Sequence, residues 1–217
     1  MKIYLDIETA TQYKPEEFKE KAPELFDIWV DRVSKDDEPV QFYREKWPIY
    51  WEYSKVICVV VWVETENWLK TTKIYQDANH DEAYVLQELK KILDHPNLVS
   101  GQLVGHNIIW FDVPFLVKRY IINCIELPQM FKWLSDKKPW EVNMIDTLKM
   151  WKTTSTMGAS LWLICTLLWI PTPKDDIDWR DTSECFFNGE YERVATYCEK
   201  DVIATYEVYK RLTALWL

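Results

Sequence analysis

The first run of the chain, Lys-Ile-Tyr-Leu-Asp-Ile-Glu at residues 2–8, confines the fold more than any other. Its side chains alternate with a period of two, which predicts a strand over Lys2 to Glu8 and puts Asp6 and Glu8 on one face of it. A buried strand does not tolerate two adjacent carboxylates unless something positive meets them, because an unpaired charge out of water is costly. Hard oxygen ligands suit Mg²⁺ or Mn²⁺ better than Zn²⁺, and no His or Cys stands close by in sequence. Taken alone, the motif is equally a strand end bearing two solvated acids.

Two later segments add the same chemistry. Leu103 to Ile109 reads as another strand, and Phe111, Pro114, Phe115, Leu116 and Tyr120 then give the spacing of a helix that begins near Asp112. Asp112 therefore falls at a strand-to-helix junction, where it could cap the helix, face a metal, or do both. Asn107 is a polar contact for a substrate hydroxyl or phosphate, whereas His106 reads as a structural histidine at a strand end. Further on, Val194, Tyr197, Cys198, Val202, Tyr206, Tyr209 and Leu212 recur at threes and fours, the mark of an amphipathic helix. Tyr197 and Asp201 are four apart and share its face. A core aromatic is the simpler reading of Tyr197; a phenol one turn before a metal-binding carboxylate could instead orient a metal-activated water.

In this order the three segments resemble the DEDDy family of 3′-5′ exonucleases, whose pattern is D-x-E, then N-x(3)-F-D, then Y-x(3)-D. Asp6 and Glu8, Asn107 with Phe111 and Asp112, and Tyr197 with Asp201 match it throughout. The chain is similar in particular to stand-alone bacterial and phage proteins related to the proofreading exonuclease domain of B-family DNA polymerases. That similarity takes in the GHN stretch, VPFLVKRY, IDTLKMW, the Ser160-Leu161 pair and IPTPKDDID, and so extends over nearly all 217 residues.

The resemblance implies an α/β, ribonuclease H-like fold, a mixed central sheet flanked by helices. The sequence pattern agrees with it. Strands are expected at Lys2 to Glu8, Lys55 to Val63, Leu69 to Tyr75 and Leu98 to Ile109; helices near Asp81 to Leu93, Asp112 to Ile122, Ser160 to Trp169 and Tyr191 to Leu215. One domain over 1–217 is expected from the length, with a charged and aromatic insertion at about 11–54, helical around Pro23 to Ser34 and Val40 to Tyr50, that either grips substrate or covers the sheet. The resemblance further implies two-metal hydrolysis of a terminal phosphodiester, the two Mg²⁺ or Mn²⁺ ions about 4 Å apart. Asp6, Glu8 and Asp201 would hold one ion and Asp6 with Asp112 the second. Tyr197 would orient the water, and Glu8, Thr9 and Asn107 would touch the terminal nucleotide. A ribonuclease D-like exoribonuclease would use the same residues, and a non-catalytic nucleic-acid-binding polymerase accessory module is the reading from another class.

Apolar residues at 48% and charged ones at 28% fit a globular chain with a core. No apolar run approaches the roughly 20 residues of a membrane span, and the five cysteines show no paired spacing, so a cytoplasmic protein with reduced core thiols is expected. Net charge of −9 is unfavourable for gripping duplex DNA, since nucleic-acid affinity comes largely from phosphate neutralisation. Short, frayed or single-stranded 3′ ends are therefore the expected DNA substrates, or delivery by a DNA polymerase or a single-strand-binding protein in proofreading or repair.

Average usage would give roughly 15 glycines in such a length. The chain has 4, beside 13 tryptophans. Trp68 and Trp179 fall in turn sequences, and Trp62, Trp110 and Trp169 fall where the similar proteins often have glycine. Some of these codons are expected to be read as glycine in the source organism, simple tryptophan enrichment being the alternative.

Overall fold

The alternation that opens the chain builds the central strand of a mixed sheet. A computed structural model describes residues 1–34, 39–46, 50–64, 69–138, 141–171 and 177–216. Strand β1 (Lys2–Thr11) pairs antiparallel with β2 (Ser54–Glu64), which pairs antiparallel with β3 (Leu69–Tyr75). On its other side β1 runs parallel to β4 (Gln102–Gly105), and β4 runs parallel to β5 (Met144–Asp146), giving the order β3-β2-β1-β4-β5. The fold is thus the α/β arrangement predicted, with helices on both faces of the sheet.

The two faces divide by residue parity. Ile3, Leu5 and Ile7 of β1 bury against α4 (Glu82–Leu93) and α5 (Asp112–Ile122). Tyr4 and Ala10 bury against α9 (Tyr191–Trp216), through Val194, Ala195, Tyr197, Cys198 and Val202. The pairing register shifts between Glu8 and Thr9: Glu8 lies opposite Cys58, but Thr9 lies opposite Val56. Ile57 is the extra residue, and Ile57 and Cys58 consequently point to the same face, a β-bulge.

Some expected elements are shorter than foreseen, and three further short ones were not expected. The strand foreseen over Leu98 to Ile109 shrinks to the four residues of β4, because Asn107 takes a left-handed backbone (φ 64°) and the Asp146 carboxylate captures the amides of Asn107 and Ile109. Strand β5 and the short helices α6 (Thr147–Lys152) and α8 (Thr182–Phe187) carry too few residues for periodicity to reveal. Helix α7 (Leu161–Leu167) is shorter than expected, with Ser160 as its N-cap. The insertion contains α1 (Phe18–Lys21), α2 (Pro23–Trp29) and α3 (Pro39–Lys46). Phe18, Phe26, Trp29, Tyr43 and Tyr53 form a separate aromatic core there, tied to the strand entrance by the Tyr43 hydroxyl donating to Tyr53 O at 2.9 Å. Residues 47–49, the end of the helix expected over Val40 to Tyr50, lie outside the described residues.

Four cysteines are buried and none is paired among the described residues; Cys124 is exposed, against the expectation of a core thiol, because it follows the end of α5. Among the described residues no helix is long and apolar enough to cross a membrane.

One buried ion pair joins the elements that aim α5. Glu82, the first residue of α4, accepts from Arg119 Nε at 2.8 Å and Nη2 at 2.7 Å, from the backbone N of Val56 at 2.8 Å and from Asn123 at 2.9 Å. Arg119 also donates to Gln12, just past β1, at 3.1 Å. Removing one partner strands the other's charge in a dry interior, which costs far more than the pair itself contributes. Arg119→Met is expected to lower unfolding free energy by about 3–5 kcal/mol in urea titration, and Glu82→Gln added to it to recover part of the loss.

Candidate active site

Parity on β1 puts Asp6 and Glu8 on the face covered by α9. There the stripe Tyr197, Cys198 and Asp201 lies on one side of the helix, at the i, i+3 and i+4 spacing that brings side chains together. Oxygen atoms of Asp6 and Glu8 and the sulfur of Cys198 all lie within 4.8 Å of one another. Asp201 and Asp112 stand outside that closest group, yet near enough for their charges to act on both β1 carboxylates. The Tyr197 hydroxyl hydrogen-bonds the Asp201 carboxylate.

Asp112 arrives from the opposite layer. It is 3% exposed at the first residue of α5, whose N-cap is Phe111. Its carboxylate accepts from the backbone N of Ile7 at 3.3 Å, between the two acidic residues of β1. The cap considered for Asp112 is therefore not formed; the side chain is spent on the sheet edge beside Asp6.

The electrostatics of the cluster are those of like charges held together. Glu8 is only 6% exposed, and among the described residues its carboxylate accepts no hydrogen bond. Burial, and then Asp6, pushes its pKa well above the ordinary carboxylate range. Burial, then Asp112 and Asp201, does the same to Asp6, with a Cys198 thiol donating to Asp6 Oδ2 at 3.5 Å as the opposing effect. Burial raises Asp112 to about 7. A cluster of acids that raise one another's pKa is the donor set a hard divalent cation completes, and the residues present fit one. Burial and the neighbouring Asp201 also raise the Tyr197 phenol, so it stays protonated and works as a hydrogen-bond donor, not as a base. Thr9 and Asn107 sit at the rim differently. Thr9 is buried and its carbonyl accepts from the Thr182 hydroxyl at 3.1 Å, whereas Asn107 is half-buried with its side-chain amide making no hydrogen bond among the described residues.

Two participants were not singled out from the sequence. Cys198 was read as core; its place one residue after Tyr197 was the only signal that it shares the stripe. Asp146 is 3% exposed and accepts from four backbone amides: Asn107 at 2.9 Å, Ile109 at 3.2 Å, Leu148 at 2.9 Å and Lys149 at 3.3 Å. It caps α6 and fixes the turn that delivers Asp112. His106 is structural, as expected, lying between Thr147 Oγ1 at 3.0 Å and Ala159 O at 3.2 Å, its pKa lowered by burial.

Residues 49–216 match a family described as a predicted 3′-5′ exonuclease related to the exonuclease domain of PolB. The matched span holds Asn107, Asp112, Tyr197 and Asp201 and begins after Asp6 and Glu8. No curated protein matches the chain. Among solved structures the chain is similar to the family B DNA polymerase of the hyperthermophilic archaeon Pyrobaculum calidifontis, with a TM-score of 0.62 and 14% identity. The similarity covers 98% of this chain and 24% of the polymerase, so the chain spans about a quarter of that protein's length. At that identity the likeness is one of fold, the ribonuclease H-like fold expected.

The raised carboxylates predict a pH dependence. With chelator present, the folded chain retains protons on these groups after the unfolded chain, whose carboxylates titrate near 4, has lost them. Their contribution is fully present below about pH 4 and is lost as pH rises towards 7, where Asp112 titrates. Thermal melts are expected to show this loss diminished in Asp112→Asn. Mn²⁺ is expected to raise Tm more at pH 7.5 than at pH 5.5, where protons compete for the same oxygens.

Proposed function

The chain belongs to this family of predicted 3′-5′ exonucleases, and on that premise we propose that it removes nucleotides one at a time from the 3′ ends of single-stranded or frayed DNA, using two divalent ions, Mg²⁺ or Mn²⁺. The observation that carries the reading is the convergence of the Asp6 and Glu8 carboxylates under a helix that brings Tyr197 and Asp201. Such carboxylates hold cations, and a protein without a cation to hold would be more stable with at least one of them replaced.

Asp6, Glu8 and Asp201 would hold one ion and Asp6 with Asp112 the other. When bound, the ions supply a nucleophilic water at neutral pH and stabilise the leaving 3′ oxygen. The protein groups do the rest. Tyr197, kept protonated, offers its hydroxyl as a donor beside Asp201 and so orients a water for in-line attack. Asp112, anchored on the Ile7 amide, keeps one oxygen directed at the sheet edge. Asn107 has a free side-chain amide for the terminal nucleotide. Thr9, next to Glu8 on β1, is the other residue proposed to touch the terminal nucleotide.

DNA is favoured over RNA by the kind of enzyme in which the similar fold occurs, a DNA polymerase. Proofreading or repair, with the 3′ end handed over by a polymerase or a single-strand-binding protein, suits a chain of net charge −9.

The test uses 5′-labelled single-stranded DNA and RNA with Mg²⁺, Mn²⁺ or chelator. Stepwise shortening from the 3′ end is expected, faster on DNA and absent with chelator. Asp6→Asn and Asp201→Asn are expected to lower kcat by about 10³-fold or more, and Tyr197→Phe by about 10–100-fold. Metal-independent binding with no shortening would return the accessory-module reading; RNA cut in preference to DNA would return the exoribonuclease reading.

A further inference from the structure

Past Glu8 the central strand leads into a cleft of about 340 Å³, lined by Thr11, Lys14, Arg44, Arg180 and Phe187 among others. We propose that this cleft is a subsite for unpaired nucleic acid, holding the backbone and a base of the strand that enters behind the terminal nucleotide. The proposal rests on the exonuclease reading for the identity of the strand.

Position comes first. Thr11 is three residues beyond Glu8 on the same strand, about 10 Å at the usual rise. The far wall, α8, is fastened to that strand: Thr182 Oγ1 donates to Thr9 O at 3.1 Å, and Thr11 N donates to Ser183 Oγ at 3.2 Å. The other wall is the insertion, through Lys14 and through Arg44 of α3. The carboxylate cluster and the cleft are thus set on one rigid element.

Chemistry comes second. Phe187 is half-buried on the lining, with Lys14 Nζ 5.9 Å and Lys55 Nζ 5.2 Å from its ring centre. Phe186 beside it has Lys55 Nζ at 4.6 Å. Lys14, Arg44 and Arg180 face a lining that also contains Glu16, paired with Arg44, and Glu184. Arg180 lines the cleft while its Nε and Nη2 donate to Asp178 at 3.2 and 2.8 Å. With Lys55 above Phe187, four cations stand against the carboxylates of Glu16, Glu184 and Asp178, a modest positive excess on a strongly acidic chain. An aromatic ring among cations that are only partly neutralised suits stacking and backbone contact with a single strand, and does not suit tight capture of a lone phosphate.

Anisotropy of a 3′-fluorescent oligothymidylate, titrated in chelator at several salt concentrations, measures this without cleavage. Lys14→Ala is expected to lessen the slope of log affinity against log salt by about 0.7, and Phe187→Ala to weaken binding by about tenfold with the slope unchanged. Hydrolysis of a thymidine 5′-phosphate aryl ester with Mn²⁺, which spans no upstream subsite, is expected to be unaltered in both variants. An unchanged slope and affinity overturns the cleft, as does equal damage to the ester reaction; failure of the unaltered protein to cut either substrate overturns the exonuclease reading instead. Circular dichroism melts confirm that both variants fold.

A separate observation concerns the tryptophans. Helix α7 ends in a Schellman motif: Ile170 N donates to Cys165 O at 2.9 Å and Trp169 N to Thr166 O at 3.4 Å, with Trp169 in the left-handed region at φ 57°. Helix α8 ends identically, with Glu190 N to Cys185 O at 2.9 Å and Gly189 N to Phe186 O at 3.0 Å, and there the left-handed residue is glycine, φ 82°. Trp169 is 91% exposed, so no packing offsets the backbone strain, and Trp133, also left-handed at φ 62°, is 75% exposed. Cys124 holds the same position after α5, so the motif tolerates a small side chain. Trp62 is different: its ring lies 4.7 Å from that of Tyr206 in the core, which removes it from the positions where glycine was expected. Trp110 and Trp179 are exposed, and Trp68 lies outside the described residues.

We infer that Trp169 and Trp133 are glycines in the protein as its own cells make it, their codon being read as glycine there. Peptide mass mapping of the protein isolated from those cells tests it. Peptides lighter by one Trp-to-Gly difference at each position support the inference, and tryptophan at both ends it.

Discussion

Everything about this fold has to accommodate one unfavourable fact, the repulsion of four carboxylates brought to the end of a single strand. Their burial costs free energy in any state without a counter-charge, and the sheet must hold them in place against that cost. The chain meets the demand by drawing the four acids from three elements: β1 gives Asp6 and Glu8, the start of α5 gives Asp112, and α9 gives Asp201. No one segment can relax to separate them. The repulsion is borne by the two hydrophobic layers, with Ile3, Leu5 and Ile7 below the sheet and Tyr4 and Ala10 above it.

Two further carboxylates steady the first four without joining them. Asp146 takes up the amides of the turn that would otherwise extend β4, and so converts a strand end into a platform for α5. Glu82 does a comparable service through Arg119, which binds α5 to α4 while reaching Gln12 at the far end of β1. Unlike the cluster acids, both have their charge fully met by donors. Acid residues in this chain thus divide into those whose charge is matched by donors and those crowded against other acids, and only the second kind points to chemistry.

Much of this was readable beforehand, and the reason is periodicity. β1, β3, α5 and α9 are long enough for alternation or threes and fours to fix type and face, and the face alone brought Asp6, Glu8, Tyr197 and Asp201 together. What escaped notice was short or depended on tertiary contact. Strand β5 has three residues, α6 and α8 six each, and none can show a period. Asp146 was visible only as one letter in a stretch resembling known relatives, because the two partners that tie it to the Asp112 turn lie 39 and 37 positions away. Cys198 was hidden by its own chemistry, since a thiol on an apolar stripe looks like core until an acid is seen beside it. Whether the insertion grips or merely covers could not be decided from its composition, as its aromatic residues serve its own small core while Lys14 and Arg44 face outwards.

The bulge at Ile57 bears on how the gene can drift. Because two successive β2 residues point the same way, everything on one side of Ile57 is in register with the carboxylate end of β1, and everything on the other side with Ala10 and Thr11. Loss of that single codon would restore a regular ladder and leave Val56, Lys55 and Ser54 opposite Thr9, Ala10 and Thr11 on the faces they already occupy, at the expense of one side chain in the layer under α9. Point changes along β2 can be absorbed one methyl group at a time. A lost residue at this place can be absorbed as well, whereas one lost from the regular stretch between Cys58 and Glu64 would turn every later side chain to the other face, so among descendants of this sequence a change of length is tolerated at Ile57 before it is tolerated there.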